Sequence, residues 1–278
     1  MRKLWGVLVF SLVAACVPGQ LPPAEAKSAL GFTARPGEAR SLGVQDPVVE
    51  AERLFRPGPD RRAVALARAG RNAIGVGVRE FPGEERSEPI AWVTEDEGRS
   101  VREIVLPQDR PGRWSPTAVA AEGDQVLVAG SLGGDVRVWA SGDAGATWTV
   151  SPVLVWGSDL WFSTVLRTGG EWLLAGGSAA GALVVTGTPG VWVTASLGDG
   201  RILGGTVDKA GKPVLFGDRV EWNQARTSNR SCLVVWVADG GWQRGELGCP
   251  ADRLVAAVTL DDGRVMLKGE RDLWIRPS

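Results

Sequence analysis

Ser141-Gly142-Asp143-Ala144-Gly145-Ala146-Thr147-Trp148 decides how the rest of the chain is read. A hydroxyl at 141 and a carboxylate at 143 can bond the amides of their own turn. Gly145 supplies a residue free to turn left-handed, and Trp148 can pack between sheets. Working outward, Thr94-Glu95-Asp96-Glu97-Gly98-Arg99-Ser100-Val101 repeats the pattern with Val in place of Trp. A weaker copy starts at Thr194, with Ser196 in place of Asp and Gly198 retained. Two residues before the first two copies stands a Trp in a β-branched run, Trp139 and Trp92. Trp192, Trp236 and Trp274 sit in similar surroundings, and the five are spaced 47, 53, 44 and 38 residues apart.

Between these marks the chain alternates short apolar runs with glycine turns. Arg62–Ala69, Ala73–Val78, Gln125–Ala129, Trp172–Ala175, Leu183–Thr186, Leu233–Val237 and Arg264–Lys268 are examples. Runs of this length and composition predict strands, and only Val48–Phe55 approaches a helical pattern. A repeat of this size with about four strands per unit predicts an all-β chain built as a β-propeller. The Ser141–Trp148 stretch resembles the Asp-box of sialidases and other propellers with BNR repeats. The resemblance implies a structural role for Ser141, Asp143, Gly145 and Trp148, and for Thr94, Asp96 and Gly98, rather than a catalytic one. Residues 60–106, 112–154, 160–206 and 207–249 are expected to form four complete blades of four-stranded antiparallel sheet. The last segment, 251–278, lacks an outer strand. Residues 39–47 are expected to supply it and close a five-bladed ring, which removes an exposed edge.

The N-terminus reads as an address. Arg2 and Lys3 precede an uncharged run, Leu4 to Ala15, that is too short to span a membrane but suits a signal-peptide core. Leu12-Val13-Ala14-Ala15-Cys16 resembles the bacterial lipobox, which implies a signal peptide over 1–15 and a lipidated Cys16. Val17 rather than Asp after that Cys implies an outer membrane or cell surface where the cell has one. Residues 16–29 then form a lipidated tether rich in Pro, and 30–278 the propeller domain. Export places Cys232 and Cys249 in an oxidising compartment. Their midpoint falls at Gly240-Gly241, a good hairpin turn, so the two face each other and are expected to form a disulfide.

The 278 residues contain no His and no Tyr, 13 Trp and 3 Cys, with a formal net charge of −1. Absence of His removes Ser-His-Asp and Cys-His catalysis and any His metal site. Absence of Tyr removes the tyrosine nucleophile that the sialidase resemblance would otherwise imply. A glycosidase using two carboxylates stays open, although no pair of acids stands out by spacing. No cofactor motif is present, and Pro213 after Gly211-Lys212 forbids a phosphate loop. Without a basic stripe the chain is a poor nucleic-acid binder. Propeller ligands usually meet the face formed by the loops between blades and between each blade's second and third strands. The repeats place Arg113, Trp114, Trp156, Asp159, Trp161, Trp222, Asn223, Arg226 and Arg230 there. They form either an aromatic and Arg surface for a sugar or peptide, or packing between blades. Two functions follow as expectations. One is a lipid-anchored extracytoplasmic scaffold binding an envelope protein or glycan. The other is a carbohydrate hydrolase with a sialidase-like fold and a carboxylate mechanism.

Overall fold

The structure, a computed structural model, describes residues 30–41, 47–154, 159–222, 229–249 and 254–278. It opens with β1 (Thr33–Arg35), a single 3-10 turn (Glu38–Ser41) and α1 (Pro47–Phe55). Blade one is β2 (Arg61–Ala69), β3 (Asn72–Glu80), β4 (Ser87–Thr94) and β5 (Arg102–Val105). Blade two is β6 (Ser115–Glu122), β7 (Gln125–Leu132), β8 (Asp135–Ser141) and β9 (Thr149–Pro152). Blade three is β10 (Trp161–Thr168), β11 (Glu171–Ser178), β12 (Gly181–Thr188) and β13 (Val191–Gly198). Blade four is β14 (Arg201–Val207), β15 (Pro213–Trp222), β16 (Asn229–Ala238) and β17 (Trp242–Gly248). Blade five is β18 (Leu254–Thr259), β19 (Val265–Gly269) and β20 (Leu273–Arg276), completed by β1. The result is a five-bladed propeller of four-stranded antiparallel sheets, and consecutive first strands lie side by side around the centre.

One device recurs in every blade. The first strand is bulged where it passes a glycine of the second: Ala63 faces Gly77, Pro116 faces Gly130, Phe162 faces Gly176, Ile202 faces Gly217 and Leu254 faces Gly269. A bulge adds twist and bends the strand. Here the bend brings a first-strand carbonyl onto the glycine. A Cβ at 217 would lie 1.8 Å from the Arg201 oxygen, and one at 176 would lie 2.0 Å from the Trp161 oxygen. At Gly77 and Gly130 the same space also holds the edge of Trp92 and of Trp139. Only glycine admits this approach.

Apolar layers between blades form the core. Ile74, Val76 and Val93 of blade one meet Val119, Val128 and Trp139 of blade two. Trp139 donates its indole N–H to the Pro107 carbonyl at 2.7 Å, and Trp236 donates to Leu197 at 3.2 Å. Each thus ties its blade to the chain of the preceding one. Trp92 has no such neighbour, because it faces the seam between blades five and one. There Phe55 of α1 stacks on it at 6.0 Å, and Glu103 accepts its indole N–H at 3.0 Å. α1 buries Ala51 and Phe55 against Ala63, Ala73 and Ile90, while Ala39 of the 3-10 turn packs on Met266 and Leu273 of blade five. The N-terminal segment fills the seam.

The structure corrects four sequence expectations. The closing strand is Thr33–Arg35, which pairs with Leu273–Ile275, and not a strand from 39–47. Residues 38–41 turn instead, 42–46 lie outside the described residues, and Pro47 opens α1, where its fixed φ suits a first helical position. The boundary between blades three and four falls between Gly198 and Arg201, not at 206/207. Trp192 consequently lies in an outer strand, opposite Gly187, and Val185 holds the position that Trp139 holds in blade two. The weak copy at Thr194 is likewise strand rather than turn, because Pro189-Gly190 already reverses the chain. The disulfide joins Cys232 and Cys249 as expected, by a different count. Ala238 pairs with Trp242 across a three-residue turn, and a bulge at Leu247 restores the register that sets Leu233 against Gly248.

The two good turn copies are superimposable in their bonds. Ser141 Oγ donates to Asp143 Oδ1 at 2.8 Å and accepts from the Gly145 N–H at 2.9 Å. Asp143 accepts from the Thr147 N–H at 2.8 Å and its hydroxyl at 2.6 Å, and Trp148 donates to the Gly145 carbonyl at 3.1 Å. Thr94, Asp96, Gly98 and Ser100 repeat this set at 2.5–3.0 Å, so Val101 costs the copy its indole but not its turn. The Thr147 hydroxyl, the Thr147 N–H and the Ser141 hydroxyl hold the Asp143 carboxyl down at about 2, and Ser100 with Thr94 does the same for Asp96.

Two outcomes are expected. Gly176→Ala and Gly217→Ala each lower stability by at least about 1–3 kcal/mol in chemical denaturation. Gly142→Ala, whose added Cβ meets only the end of Gln125 at 3.4 Å, changes it by less than about 0.5 kcal/mol. Because the folded pKa of Asp143 lies below the unfolded value of about 3.9, its stabilising effect is complete above that pH and vanishes as pH falls through about 2. The Tm gap between wild type and Asp143→Asn is therefore largest at neutral pH and closes towards pH 2.

Candidate binding face

The start of each first strand opens on the upper mouth of the channel. Arg62, Ser115, Trp161 and Arg201 hold one register position there, each directly before the residue that faces the blade glycine. Arg62 is exposed and the other three are half-buried. Trp161 crosses Gly177, where a Cβ would sit 2.4 Å from the indole, so a glycine leaves room for the ring against the second strand. Arg201 is fixed by two bonds to Asp218, at 2.9 and 2.7 Å, and the Ser231 hydroxyl donates to the same carboxylate at 2.9 Å. The hydrogen bond to Asp218 raises the Arg201 pKa against the opposing effect of burial. An aromatic ring and an oriented guanidinium thus hold the same register position in neighbouring blades.

Charge networks occupy blades one and four. On blade one, Glu103 accepts from Arg61 at 2.7 Å and pairs with Arg79, which also holds Glu88 at 3.0 Å. Its pKa falls because the bonds from Arg61, Arg79 and Trp92 outweigh burial. On blade four, Glu221 pairs with Arg219 and with Arg230, which donates at 2.7 Å, while Arg219 also holds Glu246 at 3.0 Å. The bond from Arg230 leads the lowering of the Glu221 pKa. Glu221 lies near both disulfide sulfurs, but sulfurs joined to each other are not thiolate ligands for a metal. At the lower end a cavity of about 230 Å³ is bounded by Glu122, Leu166, Arg167, Thr206, Val207 and Thr259. Arg167 bonds Glu122 at 3.3 Å across one side, and the Thr206 and Thr259 hydroxyls bond at 3.1 Å across the other.

The residues expected on the binding face divide. Trp114 is core: it is 1% exposed, donates its indole N–H to the Arg110 carbonyl at 3.0 Å and meets Trp139 edge-on at 6.1 Å. It is not the equivalent of Trp161. Ser115 is, and a one-residue offset in a strand sends a side chain to the opposite face. Arg113 and Asp159 are exposed on linkers between blades, and Arg230 is exposed but paired. Trp156, Asn223, Arg226 and the side chain of Trp222 lie outside the described residues. Arg201 was not singled out from the sequence, although a signal exists. Arg62, Ser115 and Trp161 each precede their blade glycine by 15 residues, and Arg201 precedes Gly217 by 16.

Among the described residues, the carboxylates whose pKa departs clearly from the ordinary value, Asp96, Glu103, Asp143, Glu221, Asp239 and Asp262, all shift downward. Held as anions by hydroxyls, amides and cationic side chains, they suit structure and not proton donation.

No family model matches this chain, and no curated protein matches it. Solved propellers are similar in fold. An α-L-arabinofuranosidase from Fusarium graminearum, solved with an iminosugar inhibitor, superimposes with a TM-score of 0.50 and 14% identity over 77% of this chain and 80% of its own. The GH74 enzyme of Niastella koreensis gives 0.51 and 13% identity, over 81% of this chain and 35% of its own. The NanB sialidase of Streptococcus pneumoniae gives 0.49 and 10%, over 69% and 36%. The chain therefore spans about a third of the two larger enzymes, and the likeness is one of fold.

Proposed function

We propose that this chain is a lipid-anchored, extracytoplasmic binding scaffold that takes a glycan or a protein segment at the upper mouth of its channel. The observation that carries this reading is the shared register position, in neighbouring blades, of Trp161, seated over Gly177, and Arg201, fixed by Asp218. An indole face stacks on the apolar face of a sugar or on a planar side chain, and a fixed guanidinium bonds a hydroxyl or carboxylate beside it. The Ser141 and Thr94 turns, read as Asp-boxes, build the opposite end and take no part in binding.

The alternative is a carbohydrate hydrolase. Similar folds carry glycosidases, but fold alone does not transfer a mechanism. A retaining or inverting glycosidase needs one carboxyl held protonated, and the clearly shifted carboxyls here move the other way. Localisation follows from the N-terminal resemblance, with Cys16 as the lipid-bearing residue and the membrane as its partner.

The test uses residues 17–278 and a panel of envelope glycans and peptides. Saturable binding of one class, weakened about tenfold or more by Trp161→Ala and by Arg201→Ala, supports the scaffold. Glycoside turnover that depends on a carboxylate favours the hydrolase. In cells, labelled palmitate should enter the full chain and be lost in Cys16→Ser, and retained label would sink the anchor.

A further inference from the structure

The first strands of blades two to five end around the cavity of about 230 Å³ at the lower end of the channel. β6 brings Glu122 to its wall, β10 Arg167, β14 Thr206 and β18 Thr259. Trp161 and Arg201 stand at the other ends of β10 and β14, so this wall is separate from the upper mouth. Pockets for drug-sized ligands run to about 300–1,000 Å³, so a cavity of this size suits a smaller molecule.

Its polar groups divide into charges on one side and lone pairs on the other. The Arg167 guanidinium stands over the Trp172 ring, 4.7 Å from its centre. Its Nε–H donates to Glu122 Oε2 at 3.3 Å. Among the described residues, the terminal N–H groups of Arg167 and Oε1 of Glu122 have no hydrogen-bond partner. On the other side, Thr259 donates its one hydroxyl proton to the Val207 carbonyl at 2.7 Å. The proton between the Thr206 and Thr259 hydroxyls, 3.1 Å apart, therefore comes from Thr206. With both protons spent, these hydroxyls still offer lone pairs and nothing else. The rest of the wall, Ala120 and Leu166 among it, carries apolar side chains.

We propose that this cavity binds a free α-amino acid with a polar, uncharged side chain, held as its zwitterion. The ligand carboxylate takes the terminal N–H groups of Arg167, and its ammonium takes Glu122. A hydroxyl or amide N–H on its side chain donates to the Thr206 and Thr259 lone pairs. The class follows from the charges. A plain carboxylate at Arg167 would meet the Glu122 anion beside it, and a plain amine at Glu122 would meet Arg167. A neutral polyol brings no charge to either group, and charge-assisted bonds are about twice as strong as neutral ones. In an α-amino acid the two charges share one carbon, which matches side chains already within 3.3 Å of each other. This inference does not depend on the binding role proposed for the upper mouth.

Isothermal titration calorimetry on the whole chain in detergent tests it, with L-serine, L-threonine, L-asparagine, L-glutamine and L-alanine as probes. The expected result is saturable binding of at least one of the four polar amino acids, with a Kd below about 1 mM and about tenfold tighter than L-alanine. Its N-acetyl and carboxamide forms, each lacking one charge, should bind about tenfold more weakly or worse. Arg167→Met and Glu122→Gln should each weaken binding about tenfold or more, and Thr206→Val should remove the advantage over L-alanine. Trp161→Ala should leave binding unchanged, which separates this site from the upper mouth. The Glu122 side chain is 66% exposed, so Glu122→Gln should keep the wild-type circular dichroism and Tm and serves as the test where Arg167→Met does not fold. No saturable binding of any probe up to about 10 mM overturns the proposal. Binding matched by both blocked forms, or unchanged in Glu122→Gln, also overturns it.

Discussion

In four of the blades a carbonyl of the first strand lies where the Cβ of a second-strand residue would be. That exclusion, met by Gly77, Gly130, Gly176 and Gly217, and repeated in register at Gly269, is what the ring rests on. A glycine permits the approach, the approach permits the bulge, and the bulge bends the first strand towards the centre. Five such strands then stand around a channel with their starts at one mouth and their ends at the other. The candidate binding residues inherit their positions from this. Trp161 and Arg201 share a rim because each lies one step beyond the same repeated contact.

Ring closure follows a different logic from the blades it joins. Within the ring, a blade's third-strand Trp is held by the chain of the blade before it, as Trp139 is by Pro107 and Trp236 by Leu197. At the seam, that service is divided between Phe55, which stacks on Trp92, and Glu103, which accepts its N–H. β1 completes blade five, and the residues after it cross to cover blade one. One N-terminal stretch therefore completes the last blade and covers the first, so the two ends of the propeller are stabilised together.

Much of this was legible in the sequence. Glycine turns and the Trp period gave the five blades, and the symmetry of Cys232 and Cys249 about a glycine pair gave the disulfide. What escaped has physical causes. Trp192 has the neighbours of a third-strand Trp, but Pro189-Gly190 reverses the chain just before it and puts it in an outer strand. Thr33–Arg35 is too short and too polar to read as a strand, and exists as one because Trp274 and its neighbours offer it an edge. Trp114 and Trp161 are 47 residues apart, like Trp92 and Trp139, yet the glycines their strands face, Gly130 and Gly176, are 46 apart, so the two Trp differ by one residue in register and alternation separates core from rim. Arg201 carries no composition signal, and only its distance to Gly217 marks it.

The account stands or falls on the last segment being a fifth blade that exists because β1 joins it. Amide hydrogen exchange of the intact protein tests this most directly. Leu273–Arg276 should exchange as slowly as the third strands β4, β8, β12 and β16, and deleting residues 1–36 should speed exchange there before it reaches blades two and three. Rapid exchange of Leu273–Arg276 in the intact chain, beside four protected blades, would contradict it.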